Sequence, residues 1–450
     1  MPATPSLRKY LCADSLLLLL RNRFARIKDS RSDDPPIPLA DALMSAYAMF
    51  ALKDPSLLAF DQRRQTDKAG NLKSIYQIQH VPCDTQMRTI LDPVAPEELR
   101  PAFADVFRQL QRGKVLESYR YLDEGYLLAL DGTEYFYSKN IHCSSCMEKH
   151  HQNGTISYHH QMLAAVILHP DKSEVIPVAP EPIIKQDGAL KNDCERNAAR
   201  RFAAQFRKVH PHLKVVIVED ALASNAPHVR DLIDHDMRFI LGVKEGDHEY
   251  LFKEVERREE AADPRVQWVN LNVSTSKRRM AYWFTIVREV PLNGTNEDVV
   301  VTFVHCVEEN EEDGTSQVFA WVTDLEVTKA NVYQVMRAGR ARWKIENETF
   351  NTLKNQGYNY EHNYGHGEKN LSVVFALLMM LAFLVDQVMQ LCDPLFQGAL
   401  KKLGSKRALW ERQRALVSDY RLRSVREIYE ALCYGYDRPR PRIHNPFDSS

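Results

Sequence analysis

The chain has 450 residues, 44% of them hydrophobic and 26% charged. That is long for one domain, suggests roughly two to four folding units, and leaves enough apolar residues for a sizeable core. The formal net charge of -1 excludes a globally basic protein, so any contact with a polyanion has to be local.

Charge is unevenly spread. Arg8, Lys9, Arg21, Arg23, Arg26 and Lys28 cluster near the N-terminus. Lys401, Lys402, Lys406, Arg407, Arg412, Arg414, Arg421, Arg423 and Arg426 form a second basic stretch, followed by Arg438, Arg440 and Arg442. Acidic residues collect in the middle, as in the run from Glu308 to Asp313. Basic ends fit a chain that touches a polyanion through its flanks, and they equally fit solvated helix faces.

In chain order, Asp33-Asp34-Pro35-Pro36-Ile37-Pro38 is a break, and Leu39 to Leu52 reads as an apolar helix. Residues 1–115 are mostly helical by pattern, with a polar loop near 61–72 and an amphipathic helix over Ala102 to Leu110. Tyr126 to Leu130 is a strand expected to stop in a turn at Asp131-Gly132. Gln161 to His169 and Glu174 to Val178 read as two more strands. Lys191 to His210 has helical spacing, with Asn192 or Asp193 as its cap. Leu213 to Val218 is a buried strand running into Glu219-Asp220. Asn225 to Asp234 is a short helix, and Arg238 to Val243 is another strand.

Val266 to Val273, Arg279 to Val290, Val299 to Val307 and Gln317 to Val322 are strand-like and form a β-rich insertion. From Ala330 to Lys354 the pattern is helical, and Asn370 to Leu391 is an apolar helix expected to be buried against the sheet. The longest apolar run, Val373 to Val385, is shorter than the roughly 20 residues a bilayer span needs. Leu16 to Leu20 precede Arg21, Arg23 and Arg26 with no small-residue cleavage site. The expectation is no signal peptide, no membrane anchor and a cytoplasmic protein, the scattered cysteines suiting a reducing compartment.

Two strands that end in aspartate, at Asp131 and Asp220, would bring their carboxylates to one edge if they are neighbours in a sheet. A third carboxylate, Glu346, follows on a helix. Three converging carboxylates suit hard divalent cations, Mg²⁺ or Mn²⁺, and a pair of such ions supports in-line displacement at phosphorus. Any one of these aspartates read alone is a turn former or cap. Cys143-Ser144-Ser145-Cys146 has His142, His150 and His151 near it and His159 and His160 further on. It reads as part of a structural Zn²⁺ site, as a reduced hairpin or as a redox pair, with Cys194 a further candidate ligand.

Arg342-Trp343-Lys344-Ile345-Glu346, with Phe350, Leu353 and Lys354, resembles the last motif of the DDE-type insertion-sequence transposases that carry a β-strand insertion between the second Asp and the Glu. That motif runs Tyr, two residues, Arg, three residues, Glu, six residues, Lys. Leu130-Asp131-Gly132-Thr133 resembles the first Asp motif. Val218-Glu219-Asp220-Ala221-Leu222 with Asn225, then Gly242-Val243-Lys244, resembles the second. The resemblance covers residues 120 to about 385, with two departures: Gly339 stands at the Tyr position, and Lys354 falls one residue late. On a regular α-helix that extra residue turns the lysine by about 100°. Glu348 is the competing third carboxylate.

The resemblance implies an α/β ribonuclease H-like catalytic core, with Asp131, Asp220 and Glu346 as catalytic metal ligands. The strand, strand, strand, helix, strand, helix, strand order over residues 126–243 agrees with it. It implies contacts to DNA from Arg342, Trp343 and Lys354, with Trp343 stacking on a turned-out base unless it is a core residue. Trp321 is a weaker candidate for the stacking role. The implied organisation is a helical N-terminal domain, 1–115, binding terminal repeats. The core's first part spans 120–245, the insertion 246–330, the core's second part 331–390, and a basic C-terminal region 391–450 serves DNA contact or dimerisation. The implied activity is cut-and-paste transposition of an insertion sequence, on double-stranded DNA (terminal inverted repeats and target), by a homodimer in a bacterial cytoplasm. The alternatives are a ribonuclease H-like nuclease without strand transfer and an inactive DNA-binding relic.

Overall fold

The structure is a computed structural model that describes residues 10–31, 34–122, 125–185, 193–274 and 279–436. Arg8, Lys9, Asp33, Lys191, Asn192, Arg438, Arg440 and Arg442, singled out above, lie outside the described residues.

Among the described residues, twelve strands form one sheet: β1 (Arg120–Tyr121), β2 (Gly125–Ser138), β3 (Met147–His150), β4 (Ile156–Leu168), β5 (Ile176–Pro177), β6 (Glu181–Ile183), β7 (Val215–Glu219), β8 (Arg238–Gly242), β9 (Val266–Ser274), β10 (Arg279–Pro291), β11 (Val300–Asn310) and β12 (Ser316–Thr323). Their order is β3-β4-β2-β7-β8-β12-β11-β10-β9, with β1 on β2 and both β5 and β6 on β4. β2, β7 and β8 are parallel. β4 runs antiparallel to β2, and β12 antiparallel to β8. The central β7, Val215-Val216-Ile217-Val218-Glu219, is buried at every position, as expected for a parallel strand covered on both faces.

The β-rich insertion extends this same sheet. Trp321 pairs with Gly242, and Thr323 with Ile240. It also contains a helix, Glu249–Glu260, that the sequence pattern missed. That helix is dense in charge, and only Leu251, Val255 and Arg258 face inward, too few apolar positions to announce it.

Several expectations need correction. β2 does not stop at Asp131 but continues to Ser138, so Asp131 lies within a strand. The loop near 61–72 is largely helical, as Leu57–Thr66 and Asn71–Tyr76. The helix after β6 begins at Glu195 with Cys194 at its N-cap, while Asp193 bonds Arg201 instead.

The apolar helix Leu371–Cys392 has 22 residues, long and apolar enough to cross a membrane, and it is mostly buried inside the fold. The apolar run within it, read alone, underestimates its length. Its neighbours include Leu39–Ala51, and the buried residues of the N-terminal helices, the sheet and the C-terminal helices make one continuous hydrophobic core.

Several residues of the basic flanks are spent inside the protein. Arg21 pairs with Asp41 at 2.7 Å and Arg23 with Asp105 at 2.6 Å. Arg414 donates to the carbonyls of Leu52 and Lys53, and Lys402 to those of Leu432 and Cys433. Lys401, Arg407, Arg412, Arg421 and Arg423 remain exposed.

Candidate active site

Asp131 reaches the site because two strands part company. The parallel pairing of β2 with β7 ends at Ala129 and Val218. Beyond it β2 runs on through Asp131, while β7 ends at Glu219 and the chain turns away at Asp220. Asp220 caps the short turn that follows, accepting the Leu222 amide. The two aspartates line a cleft of about 490 Å³ together with Glu195, Glu219, Asn225 and His228.

Glu346 comes from the helical turn Ile345–Phe350 and is not among the residues lining that cleft. The Nη1 of Arg342 donates to Glu346 Oε1 at 2.8 Å and to Asp131 Oδ2 at 3.3 Å. One guanidinium therefore bridges the first and third carboxylates. Asp131 also feels the charges of Glu346, Asp220 and Glu195. Glu348 points elsewhere, its charge acting on Lys406 of the helix Lys406–Asp419.

Burial, reinforced by those three carboxylates and opposed by Arg342, pushes the Asp131 carboxyl up to about 7. Burial and the charges of Asp220 and Glu219 raise Glu195 as well. Glu195 had no signal in the sequence. It reaches the site because residue 132 is glycine: a Cβ there would lie 2.0 Å from Glu195 Oε1. Behind Asp220, Glu219 and His228 form a buried pair at 2.6 Å. Burial disfavours the His228 imidazolium, but the Glu219 carboxylate outweighs it and raises the ring's pKa.

All-oxygen donors carrying more negative charge than one guanidinium balances fit a hard divalent cation. Among the described residues these carboxylates are not gathered closely enough to share one ion, and Asp131 and Glu346 share the Arg342 Nη1 instead. Metal binding would therefore displace that guanidinium.

The raised carboxyl has a consequence for stability. A carboxyl whose folded pKa exceeds its unfolded value stabilises the fold below the unfolded pKa, near 3.8, and that contribution is lost as pH rises through about 7. Asp131→Asn does not titrate. Without added divalent metal, its melting temperature should rise relative to the parent as pH goes from 4 to 8, by a few degrees. Parallel curves across that range would show that folding does not raise the Asp131 carboxyl.

The helix carrying Glu346 is not regular. Val332–Ala341 is α-helical, Ile345–Phe350 is a π-helical turn, and Asn351–Asn355 is α-helical again. A π turn closes i to i+5 and so holds one residue more than an α turn. It absorbs the one-residue excess between Glu346 and Lys354 that a continuous helix would express as rotation. Lys354 pairs with Glu361 at 2.7 Å.

Gly339, the other departure, also has a cause. A Cβ there would lie 2.4 Å from the Trp321 indole nitrogen. Trp321 fills the space next to the helix and is 6% exposed, which removes it as a platform for a base. Trp343 is 62% exposed and is not a core residue.

The Cys143–Cys146 pair lies elsewhere, against His160 and His366. The histidines closest in sequence are not its partners. His151 bonds Ser157, and His159 pairs with Glu134. Cys194 lines the carboxylate cleft instead.

The geometry defines an α/β protein with a carboxylate cluster where parallel strands diverge. A sequence profile described as "Transposase DDE domain" matches residues 125–384, more than half of the chain, and the chain belongs to that family of transposases. No curated protein matches the sequence. Among solved structures, the piggyBac transposase synaptic complex with hairpin DNA is 9% identical with a TM-score of 0.38, covering 96% of this chain and 83% of that chain. The NurA nuclease from Sulfolobus solfataricus is 9% identical with a TM-score of 0.23, covering 53% of this chain and 84% of that chain. The family assignment rests on the sequence match alone.

Proposed function

We propose that this transposase moves an insertion sequence by cut-and-paste, cutting and joining DNA at a site built from Asp131, Asp220 and Glu346. The observation that carries the reading is the bridge from Arg342 to Asp131 and Glu346, with Asp220 close enough for its charge to act on Asp131. It unites carboxylates from three distant chain segments within the span matched by the family. A ribonuclease H-like core is supported by the strand order β6-β4-β2-β7-β8, in which the first long strand is central and β7 and β8 run parallel to it.

The three carboxylates would hold two Mg²⁺ or Mn²⁺ ions, which when bound activate the attacking oxygen and stabilise the leaving one. Arg342, released from the carboxylates, would clamp a DNA phosphate bidentately. Lys354 would give up Glu361 for a phosphate. Burial around Asp131 keeps bulk water from screening these charges. The partners are double-stranded DNA, as terminal inverted repeats and target, and a second copy of the chain. The work is done in a bacterial cytoplasm.

The test is a time course on duplex carrying the element's ends, with Mg²⁺, resolving nicked, joined and double-strand-break products. Cut-and-paste transposition predicts a nick followed by joined products. Nicking that never proceeds to joining would favour a nuclease without strand transfer.

The same assay checks Trp343. An exposed indole beside Arg342 is available to stack on a base turned out of the duplex, worth roughly 1–3 kcal/mol. Trp343→Ala should leave nicking near normal and slow joining by about tenfold or more. Equal slowing of every step would refute the stacking role.

A further inference from the structure

We infer that Cys143, Cys146, His160 and His366 form a closed tetrahedral site for one structural zinc ion. Among the described residues they are the group of possible ligands whose donor atoms all lie within 4.8 Å of one another. The inference is independent of how the carboxylate site is read.

The distances match the edges of a zinc tetrahedron. Zinc–sulfur bonds of about 2.3 Å and zinc–nitrogen bonds of about 2.0–2.1 Å set edges of about 3.8 Å between two sulfurs and about 3.5 Å between sulfur and nitrogen. The two Sγ atoms are 3.8 Å apart. His160 Nε2 is 3.4 Å from each sulfur, and His366 Nε2 is 3.2 Å from Cys146 Sγ. Two thiolates and two imidazoles are a donor set that selects zinc over the hard cations suited to carboxylates. Four protein ligands leave no open position, so the site is structural rather than catalytic.

The alternatives fit less well. A disulfide needs sulfurs about 2.05 Å apart. A purely hydrogen-bonded cluster would hold two buried imidazoles through weak sulfur–nitrogen hydrogen bonds alone, since a thiol is both a weak donor and a weak acceptor. The turn is also arranged for a thiolate: the Cys143 amide donates to Cys146 Sγ at 3.4 Å. Cys146, His160 and His366 are all buried, as a closed site requires.

The position gives the ion a purpose. Cys143 and Cys146 lie in the turn between β2 and β3, and His160 on β4 pairs with Phe136 of β2. His366 lies 220 residues beyond Cys146, in the segment between the helix ending at Asn355 and the helix starting at Leu371. One ion would thus tie the strand that carries Asp131 to the chain just downstream of Glu346.

The test uses the full chain purified without chelator. Elemental analysis should find about one zinc per chain. A mercurial thiol reagent should release it into a chromogenic chelator, a reading that needs no variant to fold. Cobalt exchanged into the wild type should give the absorption of a tetrahedral ion with thiolate charge transfer. Cys143→Ser and His366→Ala should each lose the zinc and melt at a lower temperature, whereas His150→Ala should keep both. Wild-type protein without zinc, a Cys143–Cys146 disulfide by mass spectrometry, an octahedral cobalt spectrum, or zinc retained in both ligand variants would overturn the assignment.

Discussion

Asp386→Ala should destabilise the protein by about 3–5 kcal/mol, the cost of leaving a buried charge without its partner. The charge is Lys53, whose side chain is fully buried and whose Nζ is 2.6 Å from Asp386 Oδ2. The Tyr358 hydroxyl donates to the same carboxylate oxygen, and the ammonium lies 4.3 Å from the Tyr358 and Trp410 ring centroids. Four chain regions meet there: the end of the N-terminal helix Leu39–Ala51, the loop after the Glu346 helix, the long apolar helix and the helix Lys406–Asp419. Burial pulls the Lys53 pKa down, Asp386 holds it up, and Arg414 and Lys406 add repulsion. Removing Asp386 leaves the burial and the repulsion. The denaturation midpoint in urea should fall sharply, and Lys53→Met combined with Asp386→Leu should recover most of the loss, because an apolar pair of similar volume avoids the desolvation cost. A midpoint for Asp386→Ala equal to the parent's would mean that Lys53 is satisfied some other way.

Asp220→Asn and Glu346→Gln should each slow the first nick by about 10³-fold or more, the scale of losing one member of a catalytic unit, equivalent to about 4 kcal/mol of barrier. The amides keep shape and hydrogen bonding but lose the negative charge that holds a divalent ion. DNA affinity should change little, since it comes mainly from phosphate contacts made elsewhere. Loss of binding in parallel with loss of cleavage would argue that these residues hold the fold or the DNA rather than the reacting centre. Arg342 sharpens the expectation. Glu346→Gln leaves Arg342 a neutral acceptor at residue 346 and Asp131, at the longer 3.3 Å contact, as its anionic partner, so it also disturbs the first carboxylate.

The sheet is largely legible because its strands are β-branched, apolar or alternating runs bounded by turn residues. β7 is a continuous Val/Ile run, and the four strands of the insertion are bounded by turn residues, so they were recognised close to their true limits. In the sequence Asp131 reads as a strand end because Asp-Gly usually turns the chain. Here pairing with β4 continues through Asp131 and Gly132, and the ladder overrides the local preference. The π turn around Glu346 leaves no mark in composition, although the displaced Lys354 was its trace. Glu195 and His366 were invisible for a different reason. Each joins its cluster through tertiary approach, Glu195 over Gly132 and His366 across 220 residues, and no spacing rule encodes either meeting. Of the histidines that proximity in sequence offers to Cys143 and Cys146, His160 is the one that lies against both sulfurs in the fold.

The most direct test of the account is a comparison of first-strand nicking, under single turnover with Mg²⁺, for the wild type, Glu346→Gln and Glu348→Gln. The two glutamates are separated by Asn347 alone, yet Glu346 faces Asp131 through Arg342 while the charge of Glu348 acts on Lys406. The account predicts that Glu346→Gln loses about 10³-fold or more and that Glu348→Gln stays within a few-fold of wild type. Wild-type nicking by Glu346→Gln, or the loss appearing in Glu348→Gln instead, would contradict it.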